Sequence, residues 1–456
     1  MPLAIGAVGL LIFGLSPSAG WIVGLALYIG AVAMRPWIAT PLIVATLPFY
    51  LHPRALLGQE ISATEAAILT ALPAVFARGL VERGPMVRFP RPTMVDWLAA
   101  GFVAAALLSF LVTSYPRQSM RELRWLVVEP LMVFYLARCT LWSDRHCATV
   151  LWTIVGAGVV ASVVGIASLG AAGDLTRSSV RATAPYLSPN HLGMFLSRAG
   201  AVALALALFD ATRDRSRTWT ASASLGVIAI GLVRTFSLGA WGGFLGASLV
   251  LAALRGRRAL GFAVVGLVLA GAVLLATVPQ DRILGRWDPA SGTALFRIDI
   301  WKASLNMIAD HPVLGLGLDN FLYAYQGGYM LPEAWREPNI SHPHNWVLDF
   351  WIQMGILGLV VVGLLVIWCV RASLLLVRSG GPPLDRAVGA AALGVTATFL
   401  LHGSVDNSYF LVDLATLWWV MVALLVIRYP QSEPPRPAAS GPTMQRSATM
   451  EESRAS

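Results

Sequence analysis

The chain has 456 residues, 57% of them hydrophobic and only 12% charged, with a mean hydropathy of +0.68 and a net charge of +9. A soluble domain carries about 25% charged residues, so the composition excludes a water-soluble globular protein and points to a polytopic membrane protein. Membrane topology, rather than a nucleic-acid partner, then explains the excess of arginine, Lys302 being the only lysine.

Taken in chain order, apolar runs of roughly 20 residues or somewhat fewer predict spans near 3–15, 19–33, 37–51, 61–78, 95–113, 121–138, 148–171 and 188–209. Further spans follow near 219–235, 237–254, 258–278, 344–370, 384–402 and 409–427, twelve to fourteen in all, since the shortest can merge or re-enter. The first run, MPLAIGAVGLLIFGL, lacks a basic n-region and a cleavage site and is expected to remain as a membrane helix. Arginines recur in alternate loops, among them Arg35, Arg138 and Arg145, Arg255 to Arg258, and Arg371 and Arg378, which predicts both termini in the cytoplasm. The expected plan is N-terminal transmembrane helices over 1–278, a large external catalytic loop over 279–343 and C-terminal transmembrane helices over 344–428. A Pro/Ser/Ala-rich cytoplasmic tail over 429–456 is expected to be disordered. Cys139, Cys147 and Cys369 have neither CxxC nor paired spacing, so neither a structural disulfide nor a cysteine metal site is expected.

Some arginines break the topology rule. Arg54, Arg117, Arg121, Arg124, Arg177, Arg181, Arg282, Arg286 and Arg297 fall on the external side. Forked guanidinium donors there suit an anionic lipid head, above all a diphosphate, although each also suits simple headgroup anchoring. Within the spans, Glu129 is the clearest mid-bilayer charge.

The polar islands between spans carry the candidate chemistry. In RATAPYLSPNHLGMFLSRAG, from Arg181, the Ser188-Pro189-Asn190 sequence starts a helix with a cap and an early proline. RTFSLGAW, Arg234 to Trp241, is a turn before a helix whose free N–H groups face outward, a ready anion site; Gly242, Gly243 and Gly246 read as close packing. Phe296 to Ile308 has helical spacing, with Ile298, Trp301, Leu305 and Ile308 as one stripe laid on the membrane face and Arg297 in the first turn. His311-Pro312 ends that helix, and Gly315 and Gly317 permit a tight return. The Tyr/Gly/Pro-rich run from Phe321 to Trp335 suits sugar stacking or a membrane interface equally. In SHPHNW, Pro343 extends the backbone and holds His342 and His344 at the mouth of the next helix. The positive end of a helix dipole favours neutral imidazole, the form a general base needs; capping of the loop is the alternative role. No HExxH and no third clustered ligand accompany the two histidines, so no metal is expected. Asp406 and Asn407, in the short hairpin after His402, are weaker candidates.

Together these motifs resemble a known family. Arg297-x-x-x-Trp301, then HPVLGLGLDNF, then His344-Asn345 resembles the C-terminal signature of the O-antigen ligase and polymerase superfamily. RATAPYLSPNHLG is similar to its upstream R-x-x-G-x-x-x-N-P-N stretch, reading SPN and lacking the glycine, and RTFSLGAW is similar to T-x-S-R-G-A-W. The resemblance spans about Arg181 to Leu359. It implies an all-α, GT-C-like integral membrane glycosyltransferase, metal-independent, inverting and without cofactor, in the bacterial cytoplasmic (inner) membrane. Its donor would be a glycan on a polyprenyl (undecaprenyl) diphosphate, and its acceptor a hydroxyl of a lipid core, a protein or another glycan. By the same resemblance Arg297 and His344 are the expected catalytic residues. Arg297, Arg234 and Arg181 are the expected diphosphate ligands, and His342, Trp301 and Asn345 are accessory. The family's S-R-G arginine is Leu238 here. Arg234, four residues earlier, is expected to deliver its charge to the same place. Ligase and polymerase share these requirements. A lipid-linked oligosaccharide transporter is disfavoured, because charged spans and matching halves are missing from the sequence.

Overall fold

The computed structural model describes residues 1–16, 20–56, 58–81, 90–174, 180–210, 215–277, 293–335 and 337–429. Long apolar runs with no water to satisfy their backbone must bond internally, and the described chain is helical almost throughout. Its one sheet is a small antiparallel hairpin pairing Arg54–Leu56 with Gln59–Ile61. The N-terminal helices are α1 (Pro2–Leu15), α2 (Gly20–Met34), α3 (Ala39–Thr46), α4 (Ala63–Val81) and α5 (Met94–Leu108). Next, α6 (Pro116–Leu123) runs through a π-turn over Arg124–Val128 into α7 (Glu129–Thr140). They are followed by α8 (Asp144–Ala171), α9 (Pro189–Phe209), α10 (Arg215–Arg234), α11 (Leu238–Arg255) and α12 (Arg257–Thr277). The C-terminal part comprises α13 (Thr293–Asp310), the single turn α14 (Phe321–Ala324), α15 (Trp346–Arg378), α16 (Pro383–Gly403) and α17 (Val412–Arg428).

All fourteen expected spans fall on these helices, so the protein is an all-α polytopic membrane protein. Six helical segments among the described residues are long and apolar enough to cross a bilayer by themselves: Met94–Leu111, α8, α9, α11, α15 and α16. Shorter apolar helices at Pro2–Leu15, Gly20–Met34 and Pro36–Phe49 account for further expected spans. The three cysteines are free. Residues 278–292 and 430–456, which hold part of the expected external loop and the expected tail, lie outside the described residues.

Glu129 is fully buried, with Arg124 Nε 3.5 Å away. It is not the clearest charge within the spans. Arg198, midway along α9 and 2% exposed, donates to the Ser408 carbonyl and, at 2.9 Å, to its hydroxyl. Tyr186 donates to Asp413 at 2.7 Å nearby. A helix hydrophobic all round buries every face, so an arginine in it persists only where other segments supply acceptors, and here the α16–α17 hairpin does.

Helix α13 forms where the spacing predicts, and it carries a second apolar face besides the predicted stripe. Ile308 is buried, while Ile298 and Leu305 are 44% and 56% exposed. The face packed on protein is Ile300, Ala303 and Met307, against Phe321, Tyr325, Ala334 and Ile352. Two apolar faces exist, and periodicity alone could not tell which one meets protein. The aromatic run is largely packing: Tyr325 is buried, Tyr323 stacks on Tyr115 at 3.9 Å, and Tyr329 donates to Asp310 at 2.8 Å.

After α13 the chain turns back through Gly315 (φ +72°) and Gly317 (φ +96°) and docks on α15, where Leu316 N–H donates to the Ile352 carbonyl at 2.7 Å. A Cβ at Gly315 would run into that carbonyl. Gly315→Ala is therefore expected to cost about 2 kcal/mol or more of stability. It should lower the detergent melting temperature, whereas Gly327→Ala, with open space at its Cβ, should not.

Candidate active site

Four segments meet at one end of the bundle. The start of α9 brings Asn190, the first turns of α11 bring Leu238 and Gly239, the end of α16 brings His402, and α13 brings Arg297 and Trp301. These residues, with Asp406, line a cavity of 460 Å³. The approach is close: a Cβ on Gly239 would sit 2.6 Å from His402 Nε2, so a side chain there would push His402 out of place.

At the centre is Asp406, 4% exposed in the loop between α16 and α17. Burial of a carboxylate without partners is costly, and the surrounding residues satisfy it. His344 Nδ1 lies 2.9 Å from Oδ1, and the Asn407 N–H donates to Oδ1 at 2.8 Å. Asn190 Nδ2 donates to Oδ2 at 3.0 Å. His342 Nε2 and His402 Nε2 stand farther out, at 3.7 and 3.9 Å. Burial pushes the Asp406 carboxyl up, but the neighbouring His342, the hydrogen bond with His344 and the charges of His344 and His402 hold it well below the usual carboxylate range.

The histidines are positioned from both sides. Asn345 caps α15, its Oδ1 accepting from Val347 and Leu348 N–H at 3.0 and 3.3 Å, so the accessory residue Asn345 does structural work. His344 precedes it in the left-handed region at φ +53°, a conformation a non-glycine residue holds only where its surroundings over-determine it. Trp301 supplies part of that constraint, its indole donating to the Pro343 carbonyl at 3.0 Å. The His342 and His344 rings meet edge to face at 4.3 Å.

The arginines separate by role. Arg297 lines the cavity and makes no hydrogen bond to any described residue. Arg181 is committed elsewhere: Nε donates to the Thr235 carbonyl at 2.7 Å and Nη2 to Asn190 Oδ1 at 2.8 Å, which steadies the asparagine that holds Asp406. The spacing argument for Arg234 fails. The chain breaks at Thr235–Ser237, with Phe236 at φ +46°, so Arg234 ends one helix and Leu238 begins another. The Arg234 guanidinium stacks over Phe236 at 5.7 Å and reaches the Asp174 carbonyl at 3.5 Å, away from the cavity wall. Of the other external arginines, Arg54 binds the Phe13 and Ser16 carbonyls, Arg121 pairs with Asp319 at 2.6 Å and Arg124 with Glu65 at 2.7 Å. Arg177, Arg282 and Arg286 lie outside the described residues.

The expectation that the histidines lack a third clustered ligand is corrected by Asp406: the ligand atoms of His342, His344 and Asp406 lie within 4.8 Å of one another. The direct His344–Asp406 hydrogen bond, a contact made through a proton, favours an imidazole–carboxylate pair over a metal centre. Asn190 and His402 were not read as site residues; Asn190 looked like a helix start, and the cap itself is Ser188. The usable signal was the polar island HGSVDNS between two apolar helices.

The geometry thus defines a polytopic membrane protein in which a buried aspartate, paired to a part-buried histidine, shares a cavity with a guanidinium. Residues 223–363 match the sequence model of the family described as O-Antigen ligase. Over 87 residues the chain is 32% identical to a Rickettsia conorii protein named "Putative polysaccharide ligase", covering 18% of this chain and 21% of that one. The chain thus matches about a fifth of that relative's length. The resemblance read from the motifs is thus supported over residues 223–363, which are similar to the O-antigen ligase family.

Because the folded pKa of Asp406 is depressed, its contribution to stability is present above the unfolded carboxylate value, about 3.9, and is lost as pH falls through the folded value. The melting-temperature gap between wild type and Asp406→Asn should persist through mild acid and close only below the ordinary carboxylate range. A gap that closes already near about pH 6 would assign the linkage to the histidines.

Proposed function

We propose that the protein transfers a glycan from a polyprenyl diphosphate carrier to an acceptor hydroxyl at the external face of a bacterial cytoplasmic membrane. The observation that carries this reading is the meeting, at one cavity, of the unbonded Arg297 guanidinium and the carboxylate that holds His344. With Nδ1 turned to Asp406, His344 has Nε2 left to take a proton. The acceptor oxygen bonds to the anomeric carbon as the bond from that carbon to the diphosphate oxygen breaks. The bonding pair leaves with the diphosphate, where Arg297 offsets the developing charge, and the acceptor proton passes to His344. A single displacement inverts the anomeric configuration. Asp406 orients the imidazole and stabilises its protonated form, and Trp301 keeps the histidine loop in register. His342 stands by the same carboxylate oxygen, Oδ1, at 3.7 Å. The diphosphate grip expected of Arg181 and Arg234 is reassigned: Arg181 positions Asn190, and Arg234 supports the turn before α11.

Deleting the gene in its native host and resolving carrier-linked and surface glycans tests the reading. Long polymer stranded on the carrier with bare acceptor identifies a ligase; acceptor bearing single repeats identifies a polymerase. Glycan trapped on the cytoplasmic side would sink both and indicate a transporter. In a purified transfer assay, Arg297→Ala should lose about 10²–10³-fold in rate and His344→Ala at least about 10²-fold. Arg234→Ala should stay within severalfold of wild type, and chelator should have no effect. Activity that vanishes with chelator and returns with a divalent ion would reassign His342, His344 and Asp406 to a metal.

A further inference from the structure

A second cavity of 460 Å³ lies at the opposite end of α8 from the histidine cluster. Asp174, just past the C-terminal end of α8, contacts Arg234 beside the active-site turn, whereas this cavity surrounds the N-terminal turn of the same helix. The two sites are therefore separated by a 28-residue helix, roughly 40 Å. This is the arginine-rich face, the one topology predicts to be cytoplasmic.

Its lining is cationic and aromatic: Arg35, Trp37, Trp142, Arg145 and His146, with Pro36, Ile38 and the first residues of α1. No carboxylate lines it. Both arginines are exposed, and neither guanidinium bonds to any described residue. His146 stacks flat on Trp37, with centroids 4.5 Å apart at 8°, and meets Trp142 edge-on at 5.2 Å. It is only 8% exposed, yet its Nδ1 has no hydrogen-bond partner. In the adjoining groove, which Arg145 also lines, the acidic groups are already answered: Asp144 pairs with Arg428 at 2.6 Å and Asp210 lies 3.9 Å from Arg217. Positive charge without a counterion therefore concentrates in the smaller cavity.

We propose that this cavity binds a phosphate-bearing anion, the headgroup of an anionic phospholipid. Two forked donors suit phosphate oxygens. The tryptophans sit at the ends of membrane helices, at headgroup level, and the neighbouring faces of α1 and α2 are apolar and exposed at Val8, Leu11 and Met34, where acyl chains would lie.

The test is native mass spectrometry of the full chain titrated with phosphatidylglycerol, phosphatidylcholine or inorganic phosphate. One phosphatidylglycerol is expected to bind per chain in preference to phosphatidylcholine. The pair Arg35→Gln with Arg145→Gln should weaken it at least about tenfold, and Arg35→Lys with Arg145→Lys should restore most of the affinity, with unchanged melting temperature as the folding control. Equal binding by the glutamine pair, or no preference between the lipids, overturns the proposal. Displacement by inorganic phosphate at the same concentration overturns the lipid source in favour of a soluble phosphate. Glycan transfer by the glutamine pair should match wild type, so this outcome is independent of the reading of the active site.

Discussion

A carboxylate buried where three membrane helices meet must be surrounded by donors or it will not stay ionised. Asp406 is in that position, and its donors come from separated parts of the chain: Asn190 from the start of α9, His344 from the entry to α15, with His402 near it at the end of α16. Meeting the electrostatic need of one side chain fixes how these helix ends approach one another. The glycine at the first turns of α11 and the left-handed backbone at His344 follow from it, since each is what lets a donor come close enough. Even Arg181, distant in sequence from the histidines, works through this carboxylate by holding Asn190.

The external helix contributes on different terms. α13 rests on its own small core, separate from the main one, and is tied to the bundle by the Gly315–Gly317 return and the indole bond from Trp301. Arg297 rides on this second body. Its guanidinium lines the cavity with Asp406, and Trp301 on the same helix ties the histidine loop to it. Their spacing depends on how α13 docks, which is why a backbone change at a remote glycine bears on the chemistry.

Much of this was legible in the residues. Apolar runs located every helix, because in lipid the backbone has no other way to bond. The stop at His311-Pro312 and the glycine return were readable for equally local reasons. What failed was anything requiring knowledge of a neighbour. The stripe read on α13 left out the second apolar face, Ile300, Ala303 and Met307, which has meaning only through the segment packed on it. Arg234 was joined to Leu238 by an i, i+4 rule that holds only within one helix, and a turn separates them. Arg198 was passed over because a guanidinium in an apolar span makes sense only when a hairpin more than two hundred residues later brings carbonyl and hydroxyl acceptors to it. Asn190 and His402 were missed for the same reason: each has meaning only through Asp406.

A buried carboxylate in a cavity wall presents a physical conflict, since a charge withdrawn from water is costly. The shell around Asp406 resolves it. Both oxygens are occupied by neutral donors, Asn407 N–H and Asn190 on one side and on the other, while His344 takes up the remaining capacity of Oδ1. The negative charge is thereby stabilised in place, and Arg297 is the one guanidinium among the described lining residues. Leu238 stands where the family motif has an arginine, so that wall offers an apolar surface instead. Among the described lining residues the cationic part of the cavity thus lies on Arg297 and not on the α11 turn. The donors keep Asp406 ionised rather than removing its charge, so the wall of this cavity holds an anion and a cation together.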